Sequence, residues 1–538
     1  MPELIQDYAS EQAERRPEAV AVVGPGGSLT YGALESMSNR IARRLRDEGC
    51  APGDRVGLLM PKTPLAIAAI LGIYKAGAIY VPLDPYGPPA RLARIVARSG
   101  ARCLLAARPA GALLDEIIAG AGPGPLPAVG WMDEIEEGMA ARVARLTLES
   151  VLAAPDDPPR DRRRAQDPAH ILFTSGSTGE PKGVVITHRN VIRFIEWAVP
   201  HFGIDATDRL SGHPPLQFDL SVFDIVGAFA AGAQLHLVPP EMNLQPQKLA
   251  EFIRLRELTQ WFSVPSVLSY MSTFDVVRSG DFPSLRRLLW CGEVFPTPAL
   301  IHWMTRLPQV RFTNLYGPTE ATIASSHYTL PRCPEDPHAP IPIGTACEGE
   351  ELLILDGRLE PVPPGGTGDL YIGGVGLSPG YWNDPEKTRE AFPADPRAAG
   401  TPARIYRTGD RATLGRDGLV TFVGRTDAQI KSRGYRIELG EVEAGVSALD
   451  EVRECAVVAI ETRGFEGSLI CCAYVSASDD GVSPVVLRKK LGRLVPGPML
   501  PARWMPLGRL PRNGNGKIDR RRIREEFEAH ETVAARQH

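Results

Sequence analysis

Apolar positions along the first 340 residues switch repeatedly between a period of two and a period near 3.6. Residues 19–23 read as a strand. Thr30 is positioned to cap a helix in which Tyr31, Leu34, Ile41 and Leu45 keep helical spacing until Gly49, and residues 56–60 are again strand-like. The pattern resumes with a strand at 171–173, a helix capped by Thr187 that runs through about Phe202, a short strand at 234–238, and further pairs as far as RFTNLYG at 311–317. Such alternation predicts parallel sheet covered by helices, an α/β fold. Residues 106–165, rich in Ala, Gly, Pro and charge, read as a variable connection between two sheets.

From about 340 to 425 the texture becomes Gly- and Pro-punctuated strand segments, which predicts a smaller β-rich unit. Beyond Asp427 a helix at 439–449, strands at 454–460 and 468–476 and a basic helix at 485–494 predict a compact α+β module. The most apolar stretch, 65–83, contains Lys75 and two glycines and falls short of the roughly 20 residues that a spanning helix needs. It reads as a buried helix and strand. The first 20 residues lack a basic region followed by an apolar run, so the expected location is the cytoplasm.

Composition narrows the partners. The 538 residues carry a net charge of −4 and are 43% hydrophobic, which gives no electrostatic reason to expect nucleic acid or an anionic membrane. Eight cysteines without C-x-x-C spacing read as reduced thiols, not as a metal site or a disulfide framework.

The chemistry concentrates in ILFTSGSTGEPKG at 171–183. An apolar strand runs into Thr174, Ser175, Gly176, Ser177 and Thr178, whose hydroxyls and backbone N–H groups can converge on an anion, and Lys182 adds a point charge. A Walker loop is excluded because Lys182 is followed by Gly183, where that pattern needs Ser or Thr. LTYGAL at 29–34, YKAGAIYVPLD at 74–84, FDLS at 218–221, NLYGPTE at 314–320, GDLYIGGVGLSPGYW at 368–382 and YRTGD at 406–410 follow in order. GRTDAQIKSRGYRIELGEVE at 424–443 and NGKIDR at 515–520 complete the series. Together these resemble the adenylate-forming superfamily, and most of all the amino-acid-activating adenylation domains of nonribosomal peptide synthetases, over roughly residues 25–522.

The resemblance implies an N-terminal core, 1–426, of two α/β subdomains plus a small β-barrel. It implies a mobile α+β C-terminal subdomain, 427–538, hinged at Asp427. Activating a carboxylate with ATP brings two anions together, so the site needs cations, a metal for the leaving pyrophosphate, and donors around the developing charge. The resemblance supplies them residue by residue. Thr174 to Thr178 and Lys182 hold the outer phosphates and Glu320 faces Mg²⁺. Tyr316, with Asn314 and Gly317 in the same segment, meets the adenine, which Gly292 and Glu293 flank. Thr319 serves the α-phosphate, Asp410 the ribose hydroxyls, and Arg425 and Lys431 further ribose and phosphate contacts. Lys517 is the principal catalytic residue, its charge offsetting both reacting anions.

For the second step, the resemblance gives RGYRIELGEVE as the face of a pantetheine tunnel, with Gly434 allowing close backbone approach. No carrier attachment motif appears after Arg522, so a separate phosphopantetheinylated carrier protein is expected, and a small activator protein can accompany such domains. The substrate pocket positions carried over are Asp219, Leu220, Phe223, Ser263, Leu289, Cys291, Leu315, Ile323 and Ala324. Asp219 would pair with the α-ammonium; the other positions carry no charge, so a neutral, small-to-medium side chain is expected, with cysteine or proline ranked first. Two alternatives compete: an acyl- or aryl-CoA ligase, which has no use for Asp219, and a non-catalytic binding protein that retains the fold. Pro379, Arg411 and Pro498 depart from the family's pattern, and none is a proposed catalytic group.

Overall fold

The computed structural model describes residues 2–120, 126–134, 144–159, 163–176, 180–397, 403–461, 468–478, 481–512 and 518–535. Two large mixed sheets share one core. The first runs in the spatial order Gly380–Tyr381, Lys182–Thr187, Pro168–Thr174, Ile79–Pro82, Arg55–Leu59, Cys103–Ala106, Ala128–Trp131 and Ala144–Thr147. The second has nine strands, with Arg311–Tyr316, Arg287–Cys291 and Gln260–Ser263 parallel and adjacent near one end.

Helices Pro64–Lys75 and Leu220–Ala231 are apolar on nearly every face, the pattern of a helix buried all round. They join a core to which one sheet contributes Val56, Leu58 and Tyr80 and the other Val22, Leu210, Leu235 and Leu289. Threonines start the flanking helices as expected. Thr30 Oγ1 accepts Ala33 N at 3.2 Å, and Thr187 forms a capping box with Asn190.

Three features go beyond the sequence reading. The strands expected at 19–23 and 56–60 belong to different sheets, because Val20–Gly24 pairs in parallel with Gln234–Leu237, about 200 residues on. The variable connection is partly regular: Ala128–Trp131 and Ala144–Thr147 extend the first sheet, where Val129 and Trp131 are buried. Four-residue strands carry too few positions for a period to register. The hydroxyl-rich loop joins two antiparallel strands, with Thr174 opposite Lys182, so it is a hairpin loop.

Glu350–Leu355, Thr367–Gly374, Tyr406–Leu414 and Val420–Arg425 form a four-stranded antiparallel sheet, and a bridge from Gly344 to Val420 curls its far edge back. This is the smaller β unit. The last part has its own core around strands Val452–Glu461, Ser468–Ser476 and Arg503–Pro506, packed against helices Leu439–Ser447 and Pro484–Leu491. All eight cysteines are free thiols, and none of the helices among the described residues is long and apolar enough to cross a membrane.

One buried ion pair ties the second sheet together. Arg287 and Asp208, both at most 2% exposed, meet at 2.5 Å, while the guanidinium also donates to Gln260 Oε1 and to the carbonyls of Phe202 and Gly203 at 3.1 Å. Removing this cation would leave the buried Asp208 carboxylate, among the described residues, with only the Asp205 N–H at 2.9 Å and the more distant Arg286 at 3.9 Å. Arg287→Ala is therefore expected to cost about 3–5 kcal/mol in denaturant unfolding; a loss below about 1 kcal/mol would show that the pair is dispensable.

Candidate active site

The parallel strands end together at one cleft of about 1320 Å³, part of it open to solvent. Tyr316 and Cys291 terminate neighbouring strands, the usual position for a ligand site in such sheets. The cleft's lining includes Thr174, Ser175, Asp219, Leu220, Cys291, Gly292, Gly317, Thr319, Asp410, Arg425 and Lys431 from the expected set.

At one end, the Tyr316 hydroxyl donates to Asp410 Oδ2 and Arg425 donates to Asp410 Oδ1. The same guanidinium grips Asp427 through Nε and Nη2 at 2.8 and 2.7 Å. Lys431 Nζ lies 5.5 Å from the Tyr316 ring centroid, a cation–π geometry. Burial pushes the Tyr316 phenol well up, and the Asp410 charge adds to it.

In the middle stands Asp219, the N-cap residue of helix Leu220–Ala231. Aspartate commonly caps through its side chain, yet this one makes no capping bond and lines the cleft. Burial raises its carboxyl to about 6, held back by the Thr319 hydroxyl and the Leu220 N–H.

At the hairpin end, Thr174 Oγ1 is buried with no hydrogen-bond partner among the described residues, and Ser175 Oγ donates to the Arg436 carbonyl at 2.7 Å. An orphaned hydroxyl beside a lysine suits an anion that brings its own acceptors. Glu320, 0% exposed, accepts from the Tyr381 hydroxyl at 2.8 Å and pairs with Lys182 at 3.3 Å and Arg436 at 2.6 Å. Burial alone would raise its carboxyl, but the Arg436 and Lys182 cations outweigh that and hold it well below the usual carboxylate range. Lys182 is itself lowered, first by burial and then by Arg436.

Several expected residues lie elsewhere. Phe223, Ser263, Leu289, Leu315, Ile323 and Ala324 are at most 2% exposed and are not among the residues lining the cleft. Asn314 donates to the Pro342 carbonyl at 2.8 Å. Glu293, expected beside the adenine, bridges two backbones, accepting Ser266 N at 2.9 Å and Gly434 N at 2.7 Å. Ser177, Thr178 and Lys517 lie outside the described residues.

Other contacts went unread in the sequence. Arg436 reaches Glu320, and Arg91 forms a buried ion pair with Glu441. Both Arg436 and Glu441 stand inside the GYRIELGEVE segment, which is the only signal they carry; Arg91 carries none. Gly434 adopts φ +79°, and a Cβ there would lie 2.9 Å from Val264 Cγ1, which explains a glycine where the C-terminal unit meets the core.

The site brings together a hydroxyl-rich hairpin, a tyrosine–aspartate–arginine cluster and a buried carboxylate paired with two cations. Residues 9–382 match the AMP-binding enzyme family, and the chain belongs to that family. It is 35% identical over 521 residues to tyrocidine synthase 3 of Brevibacillus parabrevis, covering 96% of this chain but only 8% of that protein's length. Its fold is similar to NpsA-ThdA, an artificially fused adenylation–PCP di-domain from Klebsiella oxytoca (TM-score 0.78, 25% identity, 93% of each chain). It is similar also to the Vibrio cholerae adenylation domain AlmE in complex with glycyl-adenosine-5'-phosphate (TM-score 0.80, 25% identity, 98% of each chain). The amide bond synthetase McbA of Marinactinospora thermotolerans gives a TM-score of 0.84 at 25% identity over 97% of this chain and 99% of McbA. The chain is thus an AMP-binding enzyme by family, similar in sequence and fold to adenylation domains of nonribosomal peptide synthetases.

Gly317 is where the cleft tolerates least change. A Cβ there would sit 2.6 Å from Ala324 Cα and 2.8 Å from Ser325 N, both backbone atoms. Gly317→Ala is expected to cost about 1–3 kcal/mol of stability and to displace Thr319. Adenylation should fall at least about tenfold, the equivalent of 1.4 kcal/mol, in a pyrophosphate-exchange assay, and unchanged exchange would show that the loop has room to move.

Proposed function

We propose that this chain activates a small, neutral α-amino acid with ATP and Mg²⁺ as the aminoacyl-AMP. It then passes the aminoacyl group to the phosphopantetheine thiol of a separate carrier protein. The observation that carries the reading is Asp219, a cleft-facing carboxylate at a helix start that forgoes capping. A carboxylate so placed is suited to a substrate ammonium, which fatty and aryl acids lack.

In the first step a carboxylate oxygen of the amino acid attacks the α-phosphorus and pyrophosphate leaves. Thr174, Ser175 and Lys182 are the groups for the outer phosphates, Asp410 and Arg425 for the ribose, and Tyr316 for the adenine face. Mg²⁺, when bound, would neutralise the departing pyrophosphate, and Glu320 is the carboxylate for it. Because Arg436 already occupies Glu320, this arrangement of the C-terminal unit belongs to the second step. The reading therefore includes a core of 1–426, a subdomain of 427–538 that turns about Asp427, and Lys517 as the cation delivered in the first step.

The wall supports a neutral side chain. Leu220, Val264 and Cys291 line the cleft together with Asp219, and burial raises the Cys291 thiol to about 12 and so keeps it neutral. The glycyl adenylate held by AlmE is in keeping with that. The likeness to McbA favours a second reading, in which a free amine takes the place of the carrier thiol.

The pH dependence tests the role of Asp219. Only the ionised carboxylate pairs with an ammonium, and the group ionises as pH rises through about 6. kcat/KM for the amino acid in pyrophosphate exchange should therefore fall as pH drops below about 6. Asp219→Asn should lower it roughly 10²-fold and flatten that limb. A variant that keeps the acid limb would assign the titration to another group.

A further inference from the structure

A lysine outside the cleft reaches the loop that carries Asp219. Lys62 follows strand Arg55–Leu59 of the first sheet, and its neighbour Thr63 caps helix Pro64–Lys75 by accepting Ala66 N at 3.2 Å. The Lys62 backbone is therefore held between a strand end and the start of a buried helix. The residue is 6% exposed, and its side chain crosses to the second sheet, where strand Arg209–Gly212 ends. There Nζ donates to the carbonyls of Gly212 at 2.6 Å, His213 at 2.7 Å and Pro214 at 3.3 Å.

Three carbonyls use all three donors of the ammonium, and among the described residues no carboxylate pairs with it directly. Burying a charge held mainly by backbone carbonyls costs free energy that an apolar side chain in the same space would not. The loop it holds accounts for the cost. Pro214 and Pro215 offer no N–H for a hydrogen bond within that loop. Beyond them Gln217, Phe218 and Asp219 line the cleft, and Asp219 starts helix Leu220–Ala231. The same helix carries Asp224, whose carboxyl burial pushes well up and the Lys62 ammonium draws back down. One buried cation thus acts on the loop at its strand end and on the helix that follows it.

We propose that Lys62 is a positioning residue for the amino-acid substrate: its ammonium gathers the Gly212, His213 and Pro214 carbonyls and so fixes the loop that presents Asp219 to the cleft. This rests on the reading of Asp219 as the partner of the substrate ammonium. Lys62 is not among the residues lining the cleft, so it acts through Asp219 and takes no part in bond making. Tyr316, Asp410 and Arg425, the groups for the nucleotide, stand on other strands, so the influence of Lys62 falls on one substrate and not on the other. A misplacement of about 1 Å at a substrate-positioning group can cost about 10²-fold.

The test is pyrophosphate exchange by wild type, Lys62→Met, Asp219→Asn and the double variant, with the common amino acid that wild type exchanges best. KM for that amino acid and KM for ATP are read separately. Lys62→Met should raise KM for the amino acid about tenfold while KM for ATP moves by less than about twofold, the split expected when one substrate alone loses its place. In the Asp219→Asn background the same change should cost less than about twofold, because a residue that acts through Asp219 then has nothing left to place. Should Lys62→Met not fold, Lys62→Gln, which keeps a donor among the three carbonyls, carries the same comparison with a smaller rise. Equal rises for both substrates, or a Lys62 loss that multiplies with a large Asp219→Asn loss, would show a purely structural lysine and overturn the proposal while leaving the reading of Asp219 intact. If Asp219→Asn leaves KM for the amino acid unchanged, that reading falls and the positioning role falls with it.

Discussion

A carboxylate with no access to water must be paired, and Glu320 is the clearest case in this molecule. Its three partners come from three different strands. Lys182 comes from the strand that closes the hydroxyl-rich hairpin, Tyr381 from the edge of the same sheet, and Arg436 from the C-terminal unit. Glu320 itself sits on the short turn that follows the strand ending in Tyr316. One buried charge thus fixes the phosphate side of the cleft, and with it the distance between the anion hairpin and the cluster around Asp410.

The same constraint makes the C-terminal unit part of the site. Arg436, the Gly434–Glu293 bond and the Arg91–Glu441 pair all cross from that unit to the core, and together they close the cleft on the side of the hairpin. While Arg436 neutralises Glu320, a metal ion has no reason to reside there. On the proposed function, the two half-reactions therefore cannot overlap.

Much of this was legible because the local chemistry is demanding. A hydroxyl-rich loop ending in lysine, glycines at 317 and 434, and a carboxylate at 410 have few uses other than holding a ligand, and each lies in the cleft or beside it. Contacts between units were not legible. Arg91 finds Glu441 across 350 residues, Glu293 finds Gly434 across 141, and Arg436 finds Glu320 across 116; a single sequence has no local pattern that reports such pairings. Glu293 shows the difference well: its segment resembled one beside adenine, while the carboxylate serves two backbone N–H groups. The assignment of strands Val20–Gly24 and Arg55–Leu59 to separate sheets was hidden for the same reason. Periodicity identifies a strand, and the partner is chosen by long-range packing. The pocket wall was read as a list of residue types, and only packing reveals that Asp219, Leu220 and Cys291 line the cleft while the other six of the nine positions do not.

The central claim is that this cleft adenylates a small, neutral α-amino acid held by Asp219. Amino-acid-dependent exchange of pyrophosphate into ATP, measured across the common amino acids and a set of carboxylic acids without an amino group, tests it most directly. The account predicts the highest activity with glycine, alanine, serine, cysteine or proline, and at least about tenfold less with aromatic or charged side chains, one tenfold step being 1.4 kcal/mol. A preference for a charged side chain, or activity confined to acids lacking the ammonium, would contradict it.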